Sequence, residues 1–126
     1  MAGEIHHVAL RVRSPERSVE FYSGVLGLPE VRRFPADDGL RAIWVRAGSV
    51  VLMLERQLRG SGPPAGSGHL LAIEAASLAE WDGRLARAGI PVDDRTEFTL
   101  YVQDPDGHRV GLTVFPRERL LGPEGR

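Results

Sequence analysis

Ile5-His6-His7-Val8-Ala9-Leu10-Arg11-Val12 and Gly68-His69-Leu70-Leu71-Ala72-Ile73-Glu74 follow one plan about 62 residues apart, with His7 and His69 in register. Each is an apolar run with β-branched residues and no internal proline, which predicts a strand. Alternation puts His7, Ala9 and Arg11 on one face of the first strand and His6, Val8 and Leu10 on the other. In the second, His69, Leu71 and Ile73 are expected to share a face. If the two copies are related by a pseudo-two-fold axis, the two histidines meet across it, the geometry that a metal ion needs.

Working outward, each strand leads to a helix. Ser14-Pro15-Glu16 offers a capping hydroxyl, a proline suited to the first turn and an acid at the positive end of the helix dipole. This helix is expected to run to about Leu26 with Val19, Tyr22 and Leu26 on its apolar face. Ser77-Leu78-Ala79-Glu80 is a capping box, followed by Leu78, Trp81, Leu85 and Ala88 at helical spacing. Both helices end alike, on Gly27-Leu28-Pro29 and on Gly89-Ile90-Pro91.

Three short strands follow each helix: about 30–34, 40–46 and 49–56, then about 92–95, 99–103 and 109–115. Asp104-Pro105-Asp106-Gly107 is a strong turn signal. Module one therefore covers about residues 4–56, a Gly/Pro-rich linker 57–67, module two about 68–116 and a polar tail 117–126. The 126 residues suffice for one domain but not two ordinary ones, so the duplication lies within one unit.

Composition narrows the function. A formal charge of −1 with interspersed acids and arginines makes nucleic acid an unfavourable partner. No apolar run is long enough to span a membrane, and the N-terminus lacks a signal-peptide pattern, so a cytoplasmic location is expected. Without cysteine there is neither disulfide nor thiolate chemistry. All 16 basic residues are arginine, which excludes lysine Schiff bases and, with abundant Gly, Ala and Pro, suggests a GC-rich bacterial coding sequence.

The span from about Glu4 to Pro116 resembles the vicinal oxygen chelate superfamily of glyoxalases, bleomycin-resistance proteins and extradiol dioxygenases. The likeness rests on His7-Val-Ala-Leu-Arg-Val12, Ser14-Pro-Glu-Arg-Ser-Val-Glu-Phe-Tyr22, Val25-Leu-Gly27, Gly68-His69 and Tyr101-Val-Gln-Asp-Pro-Asp-Gly-His-Arg-Val110. The resemblance implies an α+β fold: two βαβββ modules forming a curled, eight-stranded, glyoxalase-like cup around a small ligand, often in a homodimer. It implies His7 and His69 as metal ligands, but Gly111 stands where the family's third ligand, a glutamate, belongs. A divalent ion (Ni, Co, Zn, Mn or Fe) is then weakly held or not used at all, and a carboxylate restored at position 111 should tighten it about tenfold, roughly 1.4 kcal/mol.

Two function classes stay open. In a metal-dependent lyase or isomerase, Glu55 is the candidate base, Tyr101 steers the substrate and Arg11 holds a carboxylate, unless Arg11 instead forms an internal ion pair with Glu55. In a metal-free binding or antibiotic-resistance protein, Trp44, Met53 and Tyr101 wall the same cup. His6 and His108 are read as surface or packing residues.

Overall fold

The computed structural model describes residues 3–59 and 69–121. The chain forms two compact units, residues 1–65 and 66–126, each built on a four-stranded mixed sheet. In the first unit β1 (His7–Arg11) precedes α1 (Pro15–Val19), and β2 (Glu30–Ala36), β3 (Gly39–Ala47) and β4 (Val50–Glu55) follow. Their order is β1-β4-β3-β2, with β1 parallel to β4 and the other pairs antiparallel. The second unit repeats this with β5 (Leu71–Glu74), α2 (Leu78–Arg87), β6 (Asp94–Arg95), β7 (Thr99–Gln103) and β8 (Arg109–Thr113), ordered β5-β8-β7-β6. The α+β class and the doubled βαβββ plan are thus present. The linker from Gly60 onward, Gly68 and the tail beyond Leu121 lie outside the described residues.

The capping residues act as their chemistry dictates. Ser14 accepts from the Arg17 amide at 3.2 Å and Ser77 from the Glu80 amide at 3.3 Å. The first helix departs from expectation after Val19, where Glu20–Val25 continue as a π-helix. Leu26 N–H donates to the Phe21 carbonyl, five residues back, at 2.9 Å. The wider turn brings the adjacent Phe21 and Tyr22 both into the core, 3% and 0% exposed, with their rings edge to face at 5.0 Å.

Two further expectations need correction. β2 continues through Pro35 to Ala36, which an edge strand tolerates because a missing N–H there costs no ladder bond. The polar tail opens with a helix that its sequence did not announce: Arg117–Leu121 form α3, whose Arg117 pairs with Glu74 at 3.1 Å and whose Arg119 lies over the Phe115 ring at 4.9 Å.

Each sheet buries one face. Leu10, Ile43, Val45, Leu52 and Leu54 form the first core strip under α1, and Leu100, Val102, Val110 and Leu112 form the second under Leu85 of α2. Fully burying such a side chain is worth about 1.5–3 kcal/mol. The strip in turn fixes what remains on the opposite, open face. In the second sheet Leu71 pairs with Val110 and Ile73 with Leu112, so both belong to the buried strip. The open face carries Ala72 opposite Gly111 and Glu74 opposite Thr113, and it continues backward to Leu70, not His69. The expected grouping of His69 with Leu71 and Ile73 on the ligand side is therefore one residue out of phase.

Candidate functional site

On the open face of the first sheet, pairing sets three rows side by side. His7, Ala9 and Arg11 of β1 stand against Val51, Met53 and Glu55 of β4, and Met53 stands against Trp44 of β3. Trp44 is half-buried, its ring 4.6 Å from that of Phe34 on β2. Its indole N–H donates to Glu55 Oε2 at 2.9 Å. The glutamate singled out by sequence is thus held by the tryptophan assigned to the pocket wall, and a charged acceptor makes this among the stronger side-chain hydrogen bonds. Arg11 and Glu55 are register neighbours and line one groove.

His7 lies at the exposed start of β1, its Nδ1 2.9 Å from His6 Nδ1, one ring donating N–H to the other. His6 had been expected to point away. It precedes the first paired residue, so strand alternation does not govern it, and the two rings sit edge to face at 5.1 Å.

The open face of the second sheet is lined by Leu70, Ala72, Thr99, Tyr101, Phe115 and Leu120, around a cleft of about 260 Å³. Tyr101 pairs with Gly111, and Thr99 Oγ1 donates to Thr113 Oγ1 at 2.9 Å. A Cβ built on Gly111 would meet Thr99 Cγ2 at 3.2 Å and the Leu70 methyls at 3.7 Å. His69 is exposed, with its ring 6.1 Å from that of His108 at the end of the Asp104–Gly107 turn. Asp104 organises that turn by accepting the Asp106 and His108 amides, both at 2.8 Å.

Gly111 has no donor, and the side chains against it present the Thr99 methyl and, a little farther off, the hydrocarbon of Leu70. Among the described residues no three of His, Cys, Asp or Glu converge. The second sheet's donor set does not by itself fit a two-histidine, one-carboxylate centre.

Sequence reasoning missed Leu70, Phe34 and the Thr99–Thr113 pair. One signal could have found Leu70: it stands seven residues before the cap Ser77, as His7 stands seven before the cap Ser14. Counting from the caps, not from the histidines, gives the observed register.

The sequence model of the Glyoxalase/Bleomycin resistance protein/Dioxygenase superfamily matches residues 4–112, a span that holds both βαβββ units. The chain belongs to that superfamily. Among solved structures it is similar to lactoylglutathione lyase from Agrobacterium tumefaciens, with 22% identity, 89% of this chain and 93% of that one covered, and a TM-score of 0.71. The fosfomycin resistance protein FosX from Mesorhizobium loti gives 21% identity, coverage of 97% and 100%, and a TM-score of 0.71. TnmS3, an antibiotic binding protein from Streptomyces sp. CB03234, gives 24% identity, coverage of 89% and 95%, and a TM-score of 0.68. At these identities the likeness is one of fold. A search of the curated proteins gives no match. No described helix is long and apolar enough to cross a membrane.

Proposed function

We propose that this protein binds a small, planar organic molecule against an open sheet face and holds it without a resident metal. The observation that carries this reading is the contact position of Leu70 beside Gly111, facing Tyr101's strand, where a hydrocarbon takes the space that a metal donor would need. Aromatic and thioether side chains suit such a ligand: Phe34, Trp44 and Met53 in one unit, Tyr101 and Phe115 in the other. The antibiotic binding protein TnmS3, similar in fold, lends the reading a precedent.

A second reading is favoured by one observation. Glu55, oriented by the Trp44 indole beside Arg11, is the group that would move a proton in a lyase or isomerase, with Tyr101 steering the substrate. His7 and a divalent ion would then have to be completed by donors other than those on the second open face.

Quenching of tryptophan fluorescence by metal-free bleomycin, with and without EDTA, separates the two. Binding that survives EDTA and weakens about tenfold in Trp44→Ala or in Tyr101→Ala supports the binding protein. Binding only after Ni²⁺ or Zn²⁺ is added, or metal-dependent turnover of the methylglyoxal–glutathione hemithioacetal, supports the enzyme and overturns our reading.

A further inference from the structure

We infer that the open face of the first sheet takes an aromatic acid, a flat ring bearing a carboxylate, with the ring against Trp44 and the acid on Arg32 and Arg41. This rests on the proposed binding of a planar molecule and adds to it a face and a charge.

Two irregularities in one ladder build the site. Along β2 and β3, Glu30 stands opposite Val45, Arg32 opposite Trp44, Phe34 opposite Ala42 and Pro35 opposite Leu40, so Val31 is an extra residue in one strand and Arg41 in the other. Val45 belongs to the core strip, and alternation from Glu30 would keep Arg32 on that buried side. The bulge at Val31 brings it opposite Trp44 instead, onto the open face. Alternation from Trp44 through Ala42 would likewise turn Arg41 inward, and the second bulge re-aims it. Both guanidinium groups end over one ring. Their Cζ atoms lie 4.9 and 4.8 Å from the centre of Phe34, which also meets the Trp44 ring at 4.6 Å.

One cation suffices to cover a half-buried phenylalanine. The second adds like-charge repulsion, at a separation no longer than the two contacts laid end to end, which physiological salt screens only in part. An anion beside the pair relieves it. What distinguishes these two arginines is unused donors, not a surplus of charge. Among the described residues Arg32 and Arg41 make no ion pair and no side-chain hydrogen bond, and both are exposed. The ring contacts leave their N–H groups for the oxygens of a carboxylate.

The acids nearby have other partners. Glu30 is held by Arg33 and Asp38 by Arg56, while Glu55 accepts the Trp44 indole beside Arg11. Glu16 of α1 lies beside Gly39 and acts on Arg56 and on Arg33, which stands opposite the core residue Ile43. Asp37 is exposed at the tip of the hairpin. Trp44, for its part, offers a ring already oriented by its 2.9 Å bond to Glu55, with Met53 next to it. A side chain held in place before binding has less freedom to lose. Flat surface and unused donors thus adjoin, as one molecule carrying both a ring and an acid requires.

The test follows the indole N–H resonances of Trp44 and Trp81 by NMR while 2-naphthoate, or its neutral counterpart 2-naphthamide, is added at fixed ionic strength. Trp44 should shift saturably with both compounds, at about tenfold lower concentration with naphthoate, while Trp81 on α2 stays still. Arg32→Gln/Arg41→Gln should erase that preference and leave naphthamide affinity as it was. Arg84→Gln/Arg87→Gln, which removes the same charge from α2, should retain it. A preference for naphthoate that survives in Arg32→Gln/Arg41→Gln would overturn the inference. Equal affinity for the two compounds in the unmodified protein, a measurement that needs no variant to fold, would overturn it too and leave the planar-molecule reading standing. No shift of Trp44 with either compound would overturn both at this face.

Discussion

Leu70 and Gly111 stand side by side on the second open face, and neither side chain carries a donor atom. With a hydrocarbon at 70, a carboxylate supplied at 111 alone would have no imidazole beside it, and its Cβ would crowd Thr99 at 3.2 Å. We therefore expect Gly111→Glu by itself to leave Ni²⁺ and Zn²⁺ affinity unchanged in calorimetric titration. Leu70→His combined with Gly111→Glu should raise it about tenfold or more, since the two positions face each other within 4 Å. A tenfold gain from the single substitution would show that another donor reaches this position. At Trp44, replacement by phenylalanine keeps the ring against Phe34 but removes the donor to a half-buried carboxylate. A loss of about 1–3 kcal/mol in urea unfolding should follow, and none if Glu55 simply turns to water. His7, Arg11, Trp44, Met53 and Glu55 were legible as one face because strand alternation reaches them all. Leu70 was not, because a histidine one residue earlier matched the repeat by identity while the core strip set the phase.

At the scale of elements, turns were legible to within a residue or two, since few residues can make them: the loop expected at Ala47-Gly48 falls at Gly48-Ser49. The two-residue loop Gly48-Ser49 joins the paired Ala47 and Val50, with Gly48 at a φ of 62° and open space around it. Gly48→Ala should therefore destabilise through backbone strain alone, by about 1–2 kcal/mol. Gly24→Ala meets equally open space at a φ that is not positive, and should be neutral or slightly stabilising. Equal unfolding midpoints for the two variants would contradict this account. The π-helix escaped notice because a 3.6-residue period presumes one ring per turn facing inward, whereas adjacent Phe21 and Tyr22 are both buried. α3 escaped because a five-residue polar stretch has too little periodicity, and its Arg117 and Arg119 partners, Glu74 and Phe115, are distant or outside any pattern.

For the whole molecule, surface chemistry makes the predictions. Asp38, Asp82 and Glu30 are each held below the usual carboxylate range, foremost by hydrogen bonds from Arg56, Arg95 and Arg33. A depressed folded pKa contributes stability above the unfolded value, lost as the pH falls through the folded one. The melting temperature should therefore decline below about pH 4, and less steeply in Asp38→Asn/Asp82→Asn. These pairs are exposed, so the difference should be small and should shrink in salt. Ile5, Val31, Leu70 and Leu120 are 68%, 48%, 40% and 65% exposed, a quantity of bare hydrocarbon that association would cover. We expect a homodimer in sedimentation at micromolar concentration; a monomer there would remove the proposal.

The parallel pairing of β1 with β4 also sets an order of events during synthesis. His7 cannot find its partner until Val51 exists, whereas β2 pairs with β3 and β3 with β4, each with its immediate successor. The first strand to leave the ribosome is thus the last to be used in its own sheet, waiting through the most costly loop closure of the unit. Every strand of the first unit precedes every strand of the second. One half of the protein can finish before the other has begun, so a nascent chain need never hold both unpaired leading strands at once.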